Sequence, residues 1–148
     1  QRNGIPSISN IETNINFSLE RLNEILIIED EETNMLVMKI LLDRLKMKYI
    51  CCYNGSEAII QIIEAFDNRR YFPLIISDIN MPIMNGFKFA KWLRDFEKRK
   101  FKTNLIACSA NVSNFDKDRY FSFGFDDFIS KPIDLKKLDN IMTIQFSK

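Results

Sequence analysis

Ile25-Leu26-Ile27-Ile28-Glu29-Asp30, near the start of the chain, joins an unbroken apolar run to acidic residues. Apolar residues without polar alternation are typical of a strand that is buried on both faces of a parallel sheet. The acids that follow lie at the carboxyl end of this strand, which is the edge where open α/β sheets bind their ligands. This stretch therefore predicts a buried strand that leads into a polar site.

Four more apolar segments follow, and stretches with helical spacing separate them. The further predicted strands are residues 49–53, 74–77, 105–108 and 128–130. Apolar residues between the strands recur every three or four positions, as Met35, Met38 and Leu42 do, which indicates helices. Ser56 and Asp134 are expected to cap two of these helices. Strict alternation of apolar strands with helices predicts a parallel sheet covered by helices on both faces.

The composition narrows the classes of function. The chain has 148 residues, of which 46% are hydrophobic, and 21 Lys and Arg against 20 Asp and Glu give a net charge of +1. This balance is that of one globular domain, and it argues against a nucleic-acid-binding domain, which usually has a basic excess. The absence of histidine excludes Ser-His-Asp and Cys-His nucleophile systems. Three cysteines form no disulfide framework, so a reducing compartment is expected.

The ends of the chain suggest a domain with an extension. Residues 1–23 lack sustained periodicity and are predicted to be a linker or N-terminal extension, with a short helix near 17–22, whereas residues 24–148 form the domain. The first residue is Gln1 rather than Met, which indicates a piece of a longer protein. No apolar run reaches the ~18 residues of a membrane span, and no signal peptide is visible. A cytoplasmic location without direct membrane contact is expected, including the cytosolic part of a membrane-bound parent.

Five polar residues follow the predicted strands at the same edge of the sheet. They are Glu29, Asp30, Asp78, Ser109 and Lys131. Three carboxylates in one crevice repel one another, so the cluster predicts a hard divalent cation, Mg²⁺ or alternatively Mn²⁺. A lysine and a hydroxyl beside a cation suit a phosphoryl group, which a carboxylate can accept as aspartyl phosphate. Asp78 is the central candidate because its strand lies in the middle of the predicted sheet.

Several motifs together resemble the receiver domain of two-component response regulators, and most closely the receivers of hybrid histidine kinases. The motifs are Ile25-Leu26-Ile27-Ile28-Glu29-Asp30-Glu31, Ser77-Asp78-Ile79-Asn80-Met81-Pro82-Ile83-Met84-Asn85-Gly86, Leu105-Ile106-Ala107-Cys108-Ser109-Ala110-Asn111 and Phe128-Ile129-Ser130-Lys131-Pro132. The resemblance covers residues 24–148. It implies a flavodoxin-like (βα)5 three-layer sandwich with strand order 2-1-3-4-5, for which a receiver is one of the known examples.

The resemblance also implies a metal site. Asp78 is similar to the phosphoacceptor of the family, and Asp30 resembles the main metal-coordinating acid. Glu29 stands where Asp is commoner and is expected to contact the metal directly or through water. The backbone carbonyl of Asn80 and the carboxylate of Asp78 complete the implied ligands.

The remaining roles concern the response to phosphate. By resemblance, Ser109 is the hydroxyl that closes on the phosphoryl group and Lys131 is the lysine paired with the acceptor. Phe128 occupies the position of the aromatic switch, which biases the face made by helix 4, strand 5 and helix 5. Asn80 and Asn111 flank the phosphoryl position and are expected to tune its hydrolysis.

The expected partner is a histidine kinase or a histidine phosphotransfer protein, because a chain without histidine cannot supply its own phosphohistidine. The domain promotes its own phosphorylation without being a turnover enzyme, although the parent chain is expected to be a hybrid histidine kinase. A homodimer through helix 4, strand 5 and helix 5 is a further expectation, and no contact with nucleic acid is expected.

Three alternatives remain open. The first is a pseudo-receiver that binds proteins without accepting phosphate. The second is an FMN carrier, for which the acidic loop 29–32 is poorly suited because it repels phosphate. The third is an aspartate-nucleophile phosphatase, which needs a second acid two residues after the nucleophile, where this chain has Asn80.

Overall fold

Five parallel strands form the central sheet of the computed structural model, which describes residues 19–81, 84–110 and 114–146. The strands are β1 (Glu24–Ile28), β2 (Lys48–Cys52), β3 (Leu74–Asp78), β4 (Asn104–Ser109) and β5 (Asp127–Ser130). Their order across the sheet is β2-β1-β3-β4-β5, and each neighbouring pair is parallel. The predicted 2-1-3-4-5 order is confirmed, and β3 occupies the centre of the sheet.

A helix follows each strand. The helices are α1 (Glu32–Arg44), α2 (Gly55–Asp67), α3 (Gly86–Glu97), α4 (Asn114–Ser122) and α5 (Leu135–Phe146). Asp134 caps α5 as predicted, because its carboxylate accepts a hydrogen bond from the Lys137 amide at 2.8 Å. The predicted cap of α2 was wrong. Asn54 rather than Ser56 fills that position, since its extended backbone lets the side-chain oxygen accept from the Glu57 amide at 2.8 Å.

Two apolar clusters fill the space on either side of the sheet. Alternate residues of β1 point to opposite faces, so that Leu26 and Ile28 belong to one cluster and Ile25 and Ile27 to the other. The first cluster includes buried residues of α2, α3 and α4, and the second includes buried residues of α1 and α5. This arrangement confirms the predicted three-layer sandwich.

A short second sheet ties the N-terminal segment to the domain. Glu20–Arg21 pairs in parallel with Arg70–Tyr71. The Glu20 amide donates to the Arg69 carbonyl at 2.8 Å, and the Leu22 amide donates to the Tyr71 carbonyl at 2.9 Å. The helix expected near 17–22 is therefore wrong over residues 20–22, since tertiary backbone hydrogen bonds outweigh a weak local preference; residues 17 and 18 lie outside the described ranges. Within the described part of the chain, no helix has the length and apolar character needed to cross a membrane.

Candidate functional site

An acidic cluster lies where β1 and β3 end. Glu29 and Asp30 follow β1 directly, and Asp78 is the last residue of β3. One oxygen from each of the three carboxylates lies within 4.8 Å of the others. Glu29 and Asp78 are buried, and Asp30 is the most exposed of the three. Such close carboxylates disfavour one another's charge unless a cation compensates them.

The ammonium of Lys131 provides part of that compensation. Its Nζ atom lies 3.3 Å from Oε1 of Glu29 and 3.3 Å from Oδ1 of Asp78. The backbone is fixed on the neighbouring strand, because the Lys131 amide donates to the Ser109 carbonyl at 2.9 Å. Lys131 therefore links the carboxyl ends of β1, β3, β4 and β5.

The buried charges shift each other's titration. Burial raises the pKa of Glu29 above its ordinary value of 4.5, and the charge of Asp78 adds to this increase, whereas the Glu31 amide and Lys131 oppose it. Burial alone disfavours the charged form of Lys131, but the Asp78 and Glu29 carboxylates outweigh it and raise its pKa above 10.5. Lys131 therefore stays charged at neutral pH, and Glu29 holds its negative charge less readily than a solvated glutamate.

Backbone groups orient the two buried acids. The Glu31 amide donates to Oε2 of Glu29 at 3.1 Å, and the Asn80 amide donates to Oδ1 of Asp78 at 3.3 Å. Gly86, the first residue of α3, lies against the same loop and donates its amide to the Ile79 carbonyl at 2.8 Å. A Cβ atom at Gly86 would lie 2.8 Å from the Asp78 carbonyl oxygen, so this position needs glycine for close backbone approach.

Ser109 ends β4 next to this cluster, and its side chain has a partner that the sequence did not suggest. The hydroxyl of Tyr120, on α4, donates to Oγ of Ser109 at 3.0 Å, and both residues are buried. The sequence does offer one indication of this partner, because Tyr120 is the one aromatic residue with a hydroxyl among the phenylalanines of the segment 115–128. A buried tyrosine usually finds a polar partner for its hydroxyl.

Phe128 lies in β5 and is half-buried, and its ring packs against α4. Its centroid is 6.4 Å from that of Phe121, and Nζ of Lys117 lies 4.8 Å from the Phe128 centroid. The structure thus brings together Glu29, Asp30, Asp78 and Lys131, and joins Ser109 and Phe128 to α4. Asn111, the other predicted tuning residue, lies outside the described residues.

The donor set fits a magnesium ion. Mg²⁺ prefers oxygen ligands and commonly takes one or two carboxylates while it keeps several waters. The clustered oxygens of Glu29, Asp30 and Asp78 offer this set, and Asn80 follows two residues after Asp78. Lys131 brings one positive charge to three carboxylates, so a divalent cation would balance the remaining charge.

Comparison with known proteins assigns the family. The model of the response regulator receiver domain matches residues 25–143. The chain belongs to this family. The receiver domain is 33% identical over 121 residues to hybrid signal transduction histidine kinase K of Dictyostelium discoideum. The matched region covers 78% of this chain and 10% of that protein. The domain therefore spans about a tenth of this curated relative. It is a two-component signalling domain, and this membership speaks against the FMN-carrier and phosphatase alternatives.

Solved structures agree with the fold. One is the co-crystal of the Saccharomyces cerevisiae histidine phosphotransfer protein Ypd1 with the receiver domain of its downstream response regulator Ssk1. It matches with 29% identity and a TM-score of 0.69, over 81% of this chain and 86% of that one. Another is the receiver domain of sensor histidine kinase PA1611 from Pseudomonas aeruginosa, described with a magnesium ion in its active-site cleft. It matches with 24% identity and a TM-score of 0.69, over 85% of this chain and 98% of that one.

Proposed function

We propose that this receiver domain accepts a phosphoryl group on Asp78 from a phosphohistidine, in a reaction that depends on Mg²⁺. The observation that carries the proposal is the position of Lys131, whose ammonium lies 3.3 Å from both Asp78 and Glu29, beside the three-carboxylate cluster. This arrangement combines a nucleophilic carboxylate, a cation site and a fixed positive charge at one point. These are the parts that phosphoryl transfer to a carboxylate needs.

Glu29, Asp30, Asp78 and the backbone carbonyl of Asn80 would hold the ion, Mg²⁺ or alternatively Mn²⁺. When bound, it neutralises charge on the phosphoryl oxygens. A carboxylate oxygen of Asp78 attacks phosphorus, the phosphorus–nitrogen bond of the phosphohistidine breaks, and the imidazole leaves with the electron pair of that bond. Lys131 balances the charge of the incoming group, and the Ser109 hydroxyl donates a hydrogen bond to it.

The response then passes to the face formed by α4, β5 and α5. Movement of Ser109 towards the phosphoryl group changes the space beside Ser109, and the Phe128 ring repacks between two positions. Because Phe128 has no hydroxyl, it signals through packing alone. Asn80 and Asn111 flank the phosphoryl group and tune its hydrolysis. The same face supports a homodimer, which sedimentation analysis with and without beryllium fluoride would detect.

The phosphodonor docks on α1. This helix exposes Leu36 at 56%, Val37 at 42% and Ile40 at 48%, and Val37 lines the same cleft as Glu29 and Lys131. Exposed apolar side chains beside a reactive carboxylate suit the apolar surface of a helical partner. A histidine kinase or a histidine phosphotransfer protein would place its phosphohistidine over Asp78 in this way. The Ypd1 complex among the structural relatives supports this class of partner.

The parent chain is, on this proposal, a hybrid histidine kinase whose receiver works in the cytoplasm. Its relationship to the Dictyostelium hybrid kinase supports this assignment. The receiver acts as a phosphoacceptor in the relay and not as a turnover enzyme.

Intact-mass spectrometry after incubation with acetyl phosphate and Mg²⁺ tests the function. The wild-type domain should gain the mass of one phosphoryl group, and either EDTA or Asp78→Asn should abolish the gain. Asp95→Asn, which removes an exposed acid on α3, is the matched control and should behave as wild type. A wild-type protein that gains no mass, and that does not bind beryllium fluoride with Mg²⁺, would leave the pseudo-receiver as the better description.

A further inference from the structure

A tyrosine outside the strand-end cluster contacts the hydroxyl of the proposed phosphate switch. The Tyr120 hydroxyl donates to Oγ of Ser109 at 3.0 Å, across eleven residues of sequence. Tyr120 is 5% exposed and Ser109 4%, so water has little access to this hydrogen bond. A buried hydrogen bond of this kind restrains both side chains.

The aromatic ring of Tyr120 is itself held in place. Its centroid lies 5.8 Å from that of Phe87 and 6.3 Å from that of Phe125. The Phe125 amide also donates to the Tyr120 carbonyl at 3.2 Å. The tyrosine hydroxyl therefore occupies a position set by the packing of α4 on the sheet, and Ser109 is the more adjustable partner of the two.

Ser109 has one side-chain torsion that moves its oxygen. A rotation that turned Oγ away from Tyr120 and towards a phosphoryl group on Asp78 would lengthen its contact with a fixed Tyr120 hydroxyl. Phe128, which lies where the family resemblance puts the switch aromatic, carries no hydroxyl with which to bind Ser109. The hydrogen bond with Tyr120 therefore gives Ser109 a polar link to α4 that Phe128 cannot provide.

We propose that Tyr120 is a positioning residue that holds Ser109 in the resting arrangement and opposes its closure on the phosphoryl group. The inference rests on the proposed function, because Tyr120 can oppose the movement of Ser109 only if Ser109 closes on a phosphoryl group. It makes the Tyr120–Ser109 hydrogen bond a determinant of how readily the domain enters its phosphorylated conformation.

Tyr120→Phe tests the proposal because it removes one oxygen and keeps the ring. Loss of one restraining hydrogen bond should tighten the binding of beryllium fluoride in saturating Mg²⁺ by about two- to tenfold, measured by calorimetry. Tyr49→Phe is the matched control, since it removes a hydroxyl that bonds to Asp43 far from Ser109, and its affinity should equal that of wild type. Unchanged or weaker binding by Tyr120→Phe would overturn the proposal.

A double-mutant comparison distinguishes a positioning role of the Tyr120 hydroxyl from a general effect on packing. In Ser109→Ala, addition of Tyr120→Phe should change the affinity no further, because the restrained oxygen is already gone. An equal gain in both backgrounds would contradict the proposal. If the wild-type domain does not bind beryllium fluoride, the proposed function fails; if it binds and Tyr120→Phe matches it, only this inference fails.

A measurement on the wild-type protein covers the case in which Tyr120→Phe does not fold. With tyrosine labelled at Cζ, the Tyr120 carbon resonance reports the hydrogen bond of its hydroxyl. It should shift when beryllium fluoride and Mg²⁺ are added, whereas the Tyr49 resonance should stay in place. A Tyr120 resonance that does not move would show that Ser109 keeps this partner in both states.

Discussion

The ammonium of Lys131 lies 3.3 Å from the carboxylate of Asp78, although the whole of β4 separates their two strands in the sheet. This contact bridges the central strand and the edge of the sheet at the point where the proposed chemistry occurs. Lys131 lies equally close to Glu29, so a single positive charge serves two buried acids. The charge balance of the site, three carboxylates against one ammonium, is therefore incomplete without a cation.

Lys131→Met should tighten Mg²⁺ binding by about tenfold while slowing phosphorylation of Asp78. Coulomb's law gives roughly 1–2 kcal/mol of repulsion between a single positive charge and a divalent cation about 5 Å apart with water-like screening, so removal of a nearby ammonium favours the metal. The same ammonium is needed to balance the incoming phosphoryl group. Calorimetry gives the affinity and intact-mass kinetics the rate. Lys136→Met, which removes an exposed lysine on α5, should alter neither; weaker Mg²⁺ binding by Lys131→Met would refute the charge argument.

The raised pKa of Glu29 predicts a pH dependence in EDTA. The folded protein binds a proton at Glu29 more tightly than the unfolded chain does, so this carboxyl makes folding more favourable as the pH falls through its folded-state pKa towards 4.5. Glu29→Gln lacks this titration. The free energy of unfolding of wild type minus that of Glu29→Gln should therefore increase as the pH is lowered from neutral towards 4.5. A difference that stays constant, measured by urea unfolding, would contradict the assignment.

Gly86→Ala should destabilise the fold by about 1–3 kcal/mol and disturb Asp78, because the new methyl group meets backbone atoms that cannot move aside. Gly55→Ala is a matched control at the first residue of another helix. There the three atoms nearest to the methyl group all belong to the flexible side chain of Met84, so the cost should be smaller. Urea unfolding compares the two variants. Equal losses of stability would mean that close backbone approach is not what Gly86 provides.

The docking surface on α1 predicts that its mutation slows phosphorylation by a protein donor but not by a small-molecule donor. Leu36→Asp combined with Ile40→Asp should slow transfer from a phosphorylated histidine phosphotransfer protein by about tenfold or more, since charge replaces an apolar contact. Phosphorylation by acetyl phosphate should be unchanged, because the small donor needs no docking surface. Ile60→Asp alters an equally exposed side chain on α2 and should affect neither reaction. Equal slowing with both donors would place the defect in the site itself.

An ion pair between half-buried Arg94 and buried Glu97, at the opposite end of β4, predicts a large loss of stability for Arg94→Met. Glu97 is only 4% exposed; one of its oxygens lies 2.7 Å from Arg94, and the other accepts from the Thr103 amide at 2.7 Å. Removal of Arg94 leaves this carboxylate buried with less compensation, at a cost of about 3 kcal/mol. Lys91→Met breaks only the exposed pair with Asp95 and should cost less than about 0.5 kcal/mol by the same unfolding measurement. A small effect of Arg94→Met would contradict this account.

The features that the sequence predicted are those with a strong local signal. Four apolar strands that each end in a polar residue specify the sheet and the edge where Glu29, Asp78, Ser109 and Lys131 collect, because parallel strands share one carboxyl edge. Asp134 is predictable as a cap because the helix that follows it has a clear period. Asn54 is not, because a serine two residues later offers the same capping chemistry.

The features that the sequence did not predict depend on tertiary geometry. The strand Glu20–Arg21 is two residues long and pairs with residues fifty positions away, so no periodicity indicates it. The Tyr120–Ser109 hydrogen bond depends on how α4 packs against β4, which the spacing of apolar residues along a helix does not specify. The family resemblance predicts the position of Phe128, but its contacts with Lys117 and Phe121 depend on the packing of α4 against β5.

The helix α4 contacts both residues through which the phosphorylation signal is proposed to travel, Ser109 by Tyr120 and Phe128 by Lys117 and Phe121. It contributes none of the clustered carboxylates and not the lysine beside them. On the proposed function, mutations in this one helix would therefore change how long the phosphorylated state lasts while they leave the acceptor carboxylate and the metal-binding acids in place. The duration of the signal can then diverge between related domains that keep the same phosphate-accepting groups.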